Sequence, residues 1–344
     1  MLELKVGIDF GSANITICAY GRGIIRQEPS VVLCDRYSGE ILYIGEEAKR
    51  LSEKAPGSMI VYYPIKDGVI NDPEIARILL KKYLDEACSG RLLKPSVLIS
   101  ISENVSDIEK KALGEIVEEA GAGKVYFVKE ALAAAAGAGI NMSIPRGTMI
   151  CDIGGGTTEC AVITLGDVAV SKSIRVGGND FTKLISDYIL REHNIEIGAA
   201  TAEEIKKNVG TAVYRNEEVA MIAAGKNRTT GFPVLFEITS TEIYWVLKSQ
   251  TEEILQCIKD VLSQTPPELI ADIADNGLVL SGGTANLYGL DRFLEWNTGI
   301  PTRRAKAPED CAALGLGVLL RNLKKFEGST VLPTEEEDDE DYDY

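Results

Sequence analysis

Two short stretches constrain this chain most: IDFGSAN at residues 8 to 14 and CDIGGGTTE at 151 to 159. Each closes an apolar run with an aspartate, Asp9 or Asp152, and then turns through glycine into small hydroxyl or amide residues. Glycine permits close backbone approach, so consecutive N–H groups of such a turn can converge on phosphate oxygens. A carboxylate does not face phosphate favourably unless a hydrated Mg²⁺ stands between them. One such turn is as easily an ordinary hairpin. Two of them, each following an apolar strand, point to a duplicated α/β unit whose copies grip one anion from opposite sides.

The rest of the chain follows that duplication in outline. LKVGIDF, NITICAY, PSVVLCD and EILYIG read as a β meander. PEIARILLKKYLDEAC has helical spacing behind the Asn71-Asp72-Pro73 start signal. KPSVLISIS and KVYFV read as strands on either side of an amphipathic helix with a capping box, Ser106 with Glu109, and KEALAAAAGAGI as an alanine-rich helix. After a break at 141 to 147 the strand–turn–strand pattern returns. Helices are expected at 178 to 192, 201 to 209 and 240 to 263, and a strand at 277 to 283. The divisions expected are one lobe over 1–144 with 309–330 packing back onto it, a second over 145–308, and a disordered acidic tail over 331–344.

Composition narrows the function class. The seven cysteines contain no CxxC pair and do not gather around the single histidine, His193, so metal fingers and disulfide frameworks are poor readings and free buried thiols the expectation. The net charge is −16, and the last ten residues carry eight acids and no base. A negative body argues against nonspecific nucleic-acid binding. No apolar run approaches the roughly 20 residues that cross a bilayer, and MLELKVGIDF lacks the pattern of a secretory signal, so a cytoplasmic location is expected. Neither a Walker GxxxxGK[ST] nor a strand-linked GxGxxG occurs. A third glycine element, LVLSGGTANLYGLDRFL, ends a strand with Gly282 and Gly283 and leads into a helix, where a nucleoside could lie against exposed backbone.

Taken in order, IDFGSAN, GIIRQEPSVV, IGEEAKR, PIKDGVI, KEALAAAAGAG, DIGGGTTE, RVGGNDF, TAEEIKKNVG, PPELIADI, LSGGTANLYGLDRFL and TGIPTRRA resemble the bacterial actins of the MreB family, within the actin, sugar-kinase and heat-shock-chaperone ATPase superfamily. The resemblance runs from residue 6 to about 320. It implies a two-lobed actin-like fold, duplicated ribonuclease-H-like α/β domains around a cleft holding ATP and Mg²⁺. It further implies self-assembly into filaments at the inner membrane surface that work with cell-wall elongation membrane proteins. Carried onto this sequence, Ser12, Ala13 and Asn14 would form the first phosphate turn, and Gly154, Gly155, Gly156, Thr157 and Thr158 the second. Glu203, Glu204, Ile205 and Lys206, with Gly282, Gly283, Thr284, Ala285, Asn286 and Leu287, would border the adenosine. Asp9 and Asp152 would hold the metal through water. Glu130 would orient the attacking water, with Thr157 helping.

The chain departs from the family pattern in places. Lys129-Glu130-Ala131 replaces a usual Glu-Glu-Pro, Ser12 a usual Thr, and Thr284-Ala285-Asn286 a glycine-alanine-leucine run. In CSGRLLKPS, Leu92 and Leu93 lie between Arg91 and Lys94, where the resemblance implies a membrane-insertion loop; capping the domain core is the alternative. Other readings are a slowly hydrolysing divergent paralogue, a small-molecule kinase and a chaperone-like ATPase. No acceptor-site aspartate stands out for the kinase, and no substrate-binding domain follows for the chaperone.

Overall fold

The computed structural model describes residues 4–52, 54–66, 68–88 and 94–329. Leu92, Leu93 and the acidic tail lie outside the described residues. Two five-stranded sheets dominate. In the first, Lys5–Phe10 is central, antiparallel to Asn14–Ala19, which pairs in turn with Gly23–Pro29; on its other side run Ser96–Ile101 and Lys124–Lys129, both parallel to it. The second repeats this order and sense, with Thr148–Ile153 central, Thr158–Thr164 and Asp167–Ile174 antiparallel on one side, and Leu278–Ser281 and Thr302–Arg304 parallel on the other. Asp9 faces Thr16 across its hairpin, and Asp152 faces Glu159 across the matching one. The central strands are apolar on both faces because both are covered: Val6, Ile8, Met149 and Ile150 are fully buried.

The expected opening meander breaks at Pro29. Proline has no N–H to extend the ladder, and Ser30 N instead donates to Ala13 O at 3.0 Å. Val32–Asp35 and Ile41–Ile44 therefore leave the first sheet and form a separate small one with Met59–Tyr62.

Local signals set the helices. Asp72 caps Pro73–Ala87 by accepting from Ile75 N at 3.0 Å, and Ser106 with Glu109 forms the expected capping box of Asp107–Glu119. Thr239 and Glu242 do the same for the 25-residue helix Ser240–Gln264. Gly178–Glu192 spans the expected residues, and Ala199–Val209 begins two residues early. The helices Glu46–Ser52 and Pro267–Asn276 were not anticipated, whereas Leu290–Thr298 is the helix expected after the third glycine element. Both unanticipated helices are short, and each fully buries one residue, Ala48 or Ile273. His193 is structural: its Nε2 lies 3.1 Å from Glu242 Oε1, with its ring against Tyr188 and Phe236. All seven cysteines are free.

Between the sheets lie two crossing helices, Glu130–Gly137 and Cys311–Leu319. They pack against Cys18 and Leu98 of the first sheet and Ile150, Ala161 and Val279 of the second. Their contact is nearly backbone to backbone: a Cβ on Gly137 would overlap Cys311 O, and one on Gly315 would overlap Ala133 O. Alanines fill the rest, Ala131 and Ala133 to Ala135 being buried. Cys311–Leu319 is apolar along its length and buries Cys311 to Ala313, Gly315 and Leu316 in this contact, while Leu314 and Val318 are exposed. The crossing sets Glu130, the first residue of its helix, at the floor of the space between the sheets.

Candidate functional site

That space is a cavity of about 2120 Å³, larger than the ordinary small-molecule pocket. The two glycine turns meet across it. A Cβ built on Gly155 would stand 2.7 Å from the Ala13 Cβ, so the turns touch only because one residue has no side chain. Several carbonyls of both turns are engaged. Ser30 Oγ donates to Gly11 O at 2.7 Å, Gly178 N to Gly154 O at 2.9 Å and Asn179 N to Gly155 O at 2.8 Å. Gly68 N donates to Ser12 Oγ at 3.1 Å. With those carbonyls tied back, what such turns can offer an anion is amide N–H.

Four acids gather at the floor. Asp9, Asp152 and Glu130 line the cavity, and Glu159 stands beside Asp152 in the hairpin register. Burial, then the Asp152 charge, raises the Asp9 carboxyl, against a 3.1 Å hydrogen bond from Ser100 Oγ. Burial likewise raises Asp152. Glu159 is pushed up to about 8, by burial first and then chiefly by the charges of Asp152 and Glu103. Glu130 is raised well above the usual range by burial, Glu159, Asp152 and Asp9. Glu159 Oε1 accepts from Glu103 N at 3.3 Å, while its Oε2 has no partner among the described residues. A crowd of acids that repel ionisation is chemically suited to a cation. Among the described residues no three His, Cys, Asp or Glu side chains are placed together to ligate a metal; Asp9 and Asp152 are oxygen donors of the kind that Mg²⁺ takes.

On the other wall, Lys206 Nζ is 2.6 Å from Glu203 Oε2 and donates to Gly178 O at 2.8 Å and Thr182 Oγ1 at 3.0 Å. Thr182 Oγ1 donates to Glu203 Oε2 at 2.6 Å, and Thr284 Oγ1 to Gly154 O at 3.0 Å. This net ties the helices behind the second turn to the third glycine element. Ser12, Ala13, Asn14, Gly154 to Thr157, Glu203, Glu204, Lys206, Gly282 to Thr284, Asn286 and Leu287 all line the cavity. Thr158, Ile205 and Ala285 do not: Ile205 and Ala285 belong to the core of the second lobe, and Thr158 Oγ1 donates inward to Val176 O at 2.7 Å. Each motif came as a consecutive run, whereas strand and helix turn alternate residues away. Glu159 was missed by sequence reasoning, although an acid in an apolar strand opposite Asp152 was its visible signal.

The chain matches the family model described as MreB/Mbl protein over residues 3–328. It is 41% identical to the cell shape-determining protein Mbl of Bacillus subtilis (strain 168) over 329 residues, 95% of this chain and 98% of Mbl. It is 38% identical to the cell shape-determining protein MreB of Escherichia coli (strain K12), over 95% of this chain and 96% of that one. In structure it is similar to MreB5 of Spiroplasma citri bound to ADP, with a TM-score of 0.90 at 35% identity over 94% of this chain and 98% of that one. MreB5 has also been solved bound to AMPPNP. The actin-like fold expected from the sequence is the fold observed.

Proposed function

The chain belongs to the MreB/Mbl family, and from that premise we propose that it binds ATP with Mg²⁺ between its two glycine turns and assembles with further copies into filaments that govern cell shape. The observation that carries this reading is the meeting of Ala13 and Gly155 above a floor of raised carboxylates. Adenine nucleotides bound to MreB5 support the ligand. Shape is set over cellular distances, and a folded chain of 344 residues has a radius of gyration of only about 20 Å, so a shape-determining protein of this size acts as a polymer.

In this reading the amides of residues 12–14 and 155–157 hold the phosphates, and the wall of Lys206, Glu203 and Thr284 borders the nucleoside. Asp9 and Asp152 would hold Mg²⁺ through water, and the bound ion supplies neutralising charge for the triphosphate. Glu130 orients a water for in-line attack. Phosphoryl transfer needs that positioning more than a strong base, and burial and neighbouring acids, which raise the Glu130 carboxyl, make its carboxylate a better proton acceptor. Lys129, standing where the family pattern has an acid, pairs with Glu103 at 3.0 Å.

Membrane attachment rests on sequence alone. Leu92 and Leu93, flanked by Arg91 and Lys94, would insert at the cytoplasmic membrane face, worth about 3–6 kcal/mol for two leucines and multiplied along a filament. Membrane proteins of cell-wall elongation are the partners this location implies. Calorimetry with MgATP tests the core reading: wild type and Glu130→Gln should bind with similar affinity, while the variant's phosphate release falls about 100-fold. Absence of ATP binding by the wild type would refute it.

A further inference from the structure

At the end of the cavity wall past Lys206, two loops are knitted together. Ala212 N donates to Tyr288 O at 2.9 Å, and Thr211 and Tyr288 form an isolated parallel bridge. A Cβ on Gly210 would stand 3.1 Å from Leu287 Cδ1, so the loops also pack against each other. From this junction Arg215 extends over the Tyr288 ring, its Cζ 4.0 Å from the centroid, and Arg292 approaches the same ring at 5.0 Å. All three side chains line the cavity.

The chemistry of Arg215 is unfinished. One terminal nitrogen donates to Gly210 O at 3.1 Å. Its Nε is buried, yet has no hydrogen-bond partner among the described residues, and no carboxylate among them forms an ion pair with Arg215. A buried donor without an acceptor is costly. A guanidinium fixed on an aromatic ring is a rigid planar surface that lysine cannot reproduce. Gly210 and Leu287 place this surface beside the residues assigned to the nucleoside, away from the floor of acids.

We propose that Arg215, stacked on Tyr288, is a specificity-determining residue for the nucleoside: the purine packs against the guanidinium. Tyr288 is the positioning residue, holding the plane. The inference rests on the reading of the cleft as an ATP site and extends it to residues outside the phosphate and adenosine motifs.

Calorimetry with two ligands, MgATP and magnesium tripolyphosphate, tests it on the full chain. Tripolyphosphate presents the phosphates without a nucleoside. Arg215→Ala should weaken MgATP about tenfold and leave tripolyphosphate within about twofold of wild type. Arg215→Lys, which keeps the charge and loses the plane, should behave like Arg215→Ala. Tripolyphosphate weakened in parallel with ATP would reduce Arg215 to a distant charge and overturn the proposal, as would wild-type ATP affinity in either variant. Tyr288→Phe keeps the ring and should bind as wild type, and a tenfold loss there would remove stacking from the account. Failure of the wild type to bind ATP would strike the parent reading instead.

Discussion

Ala13 and Gly155, one from each glycine turn, are in contact across the cleft, and the missing side chain of Gly155 is what permits it. The gap between the two turns is thus fixed by an atom that is not there. A methyl at 155 would need the lobes to part, since Ala13 Cβ belongs to a turn anchored by Ser30 through its backbone and hydroxyl. Gly155→Ala should therefore weaken MgATP by tenfold or more, about 1.4 kcal/mol, with little change in melting temperature without nucleotide. Titration calorimetry beside thermal melts would check this; unchanged affinity would show that the turns need not touch.

The crossing of the two central helices carries a stability prediction. Alanine is the better helix former by about 1 kcal/mol, so Gly315→Ala would stabilise an open helix. Here its Cβ would overlap Ala133 O, and overpacking of this kind costs about 1–3 kcal/mol. The variant should melt several degrees below wild type by calorimetry. A raised melting temperature would mean that the helices can separate freely.

Glu159 gives the cleft a pH dependence without nucleotide. Its carboxyl is raised from 4.5 to about 8, so the folded chain keeps the proton that the unfolded chain releases. The stability it contributes is present below pH 4.5 and lost as pH rises through about 8. Glu159→Gln removes that loss. Melts of variant and wild type in chelator should coincide near pH 4.5, separate as pH climbs, and differ by a constant margin above pH 8, the variant being higher by at least about 2 °C. A gap independent of pH would place its titration elsewhere.

Replacing Leu92 and Leu93 with serine should lower co-sedimentation with anionic liposomes by at least tenfold and leave MgATP affinity unchanged. Equal lipid binding by the variant would return the two leucines to the domain core.

How much of this was legible in the sequence depended on whether a signal was local. The aspartates and glycines of the two turns were readable because each motif is contiguous and its chemistry lies in residue type. Ser106 with Glu109 was readable as a capping box for the same reason. The duplication could be inferred in outline, but not the break at Pro29, where a lost donor redirects the chain. Glu159 hid in a strand whose neighbours are apolar, because its partner Asp152 is adjacent only after pairing. Gly137 and Gly315 hid because their need for glycine comes from a helix 178 residues away in sequence. Thr158, Ile205 and Ala285 fell inside motif runs and turn into the core. Arg215 and Tyr288 meet only through the pairing of two distant loops.

The measurement that bears most directly on the whole account is high-speed sedimentation with electron microscopy of the pellets, comparing ATP and Mg²⁺, ATP with chelator, and no nucleotide. The account predicts filaments in the pellet with ATP and Mg²⁺, soluble protein in the other two conditions, and a soluble Gly155→Ala variant throughout at nucleotide concentrations that saturate only the wild type. Protein that stays in solution under every nucleotide condition, or that pellets equally without nucleotide, would contradict it.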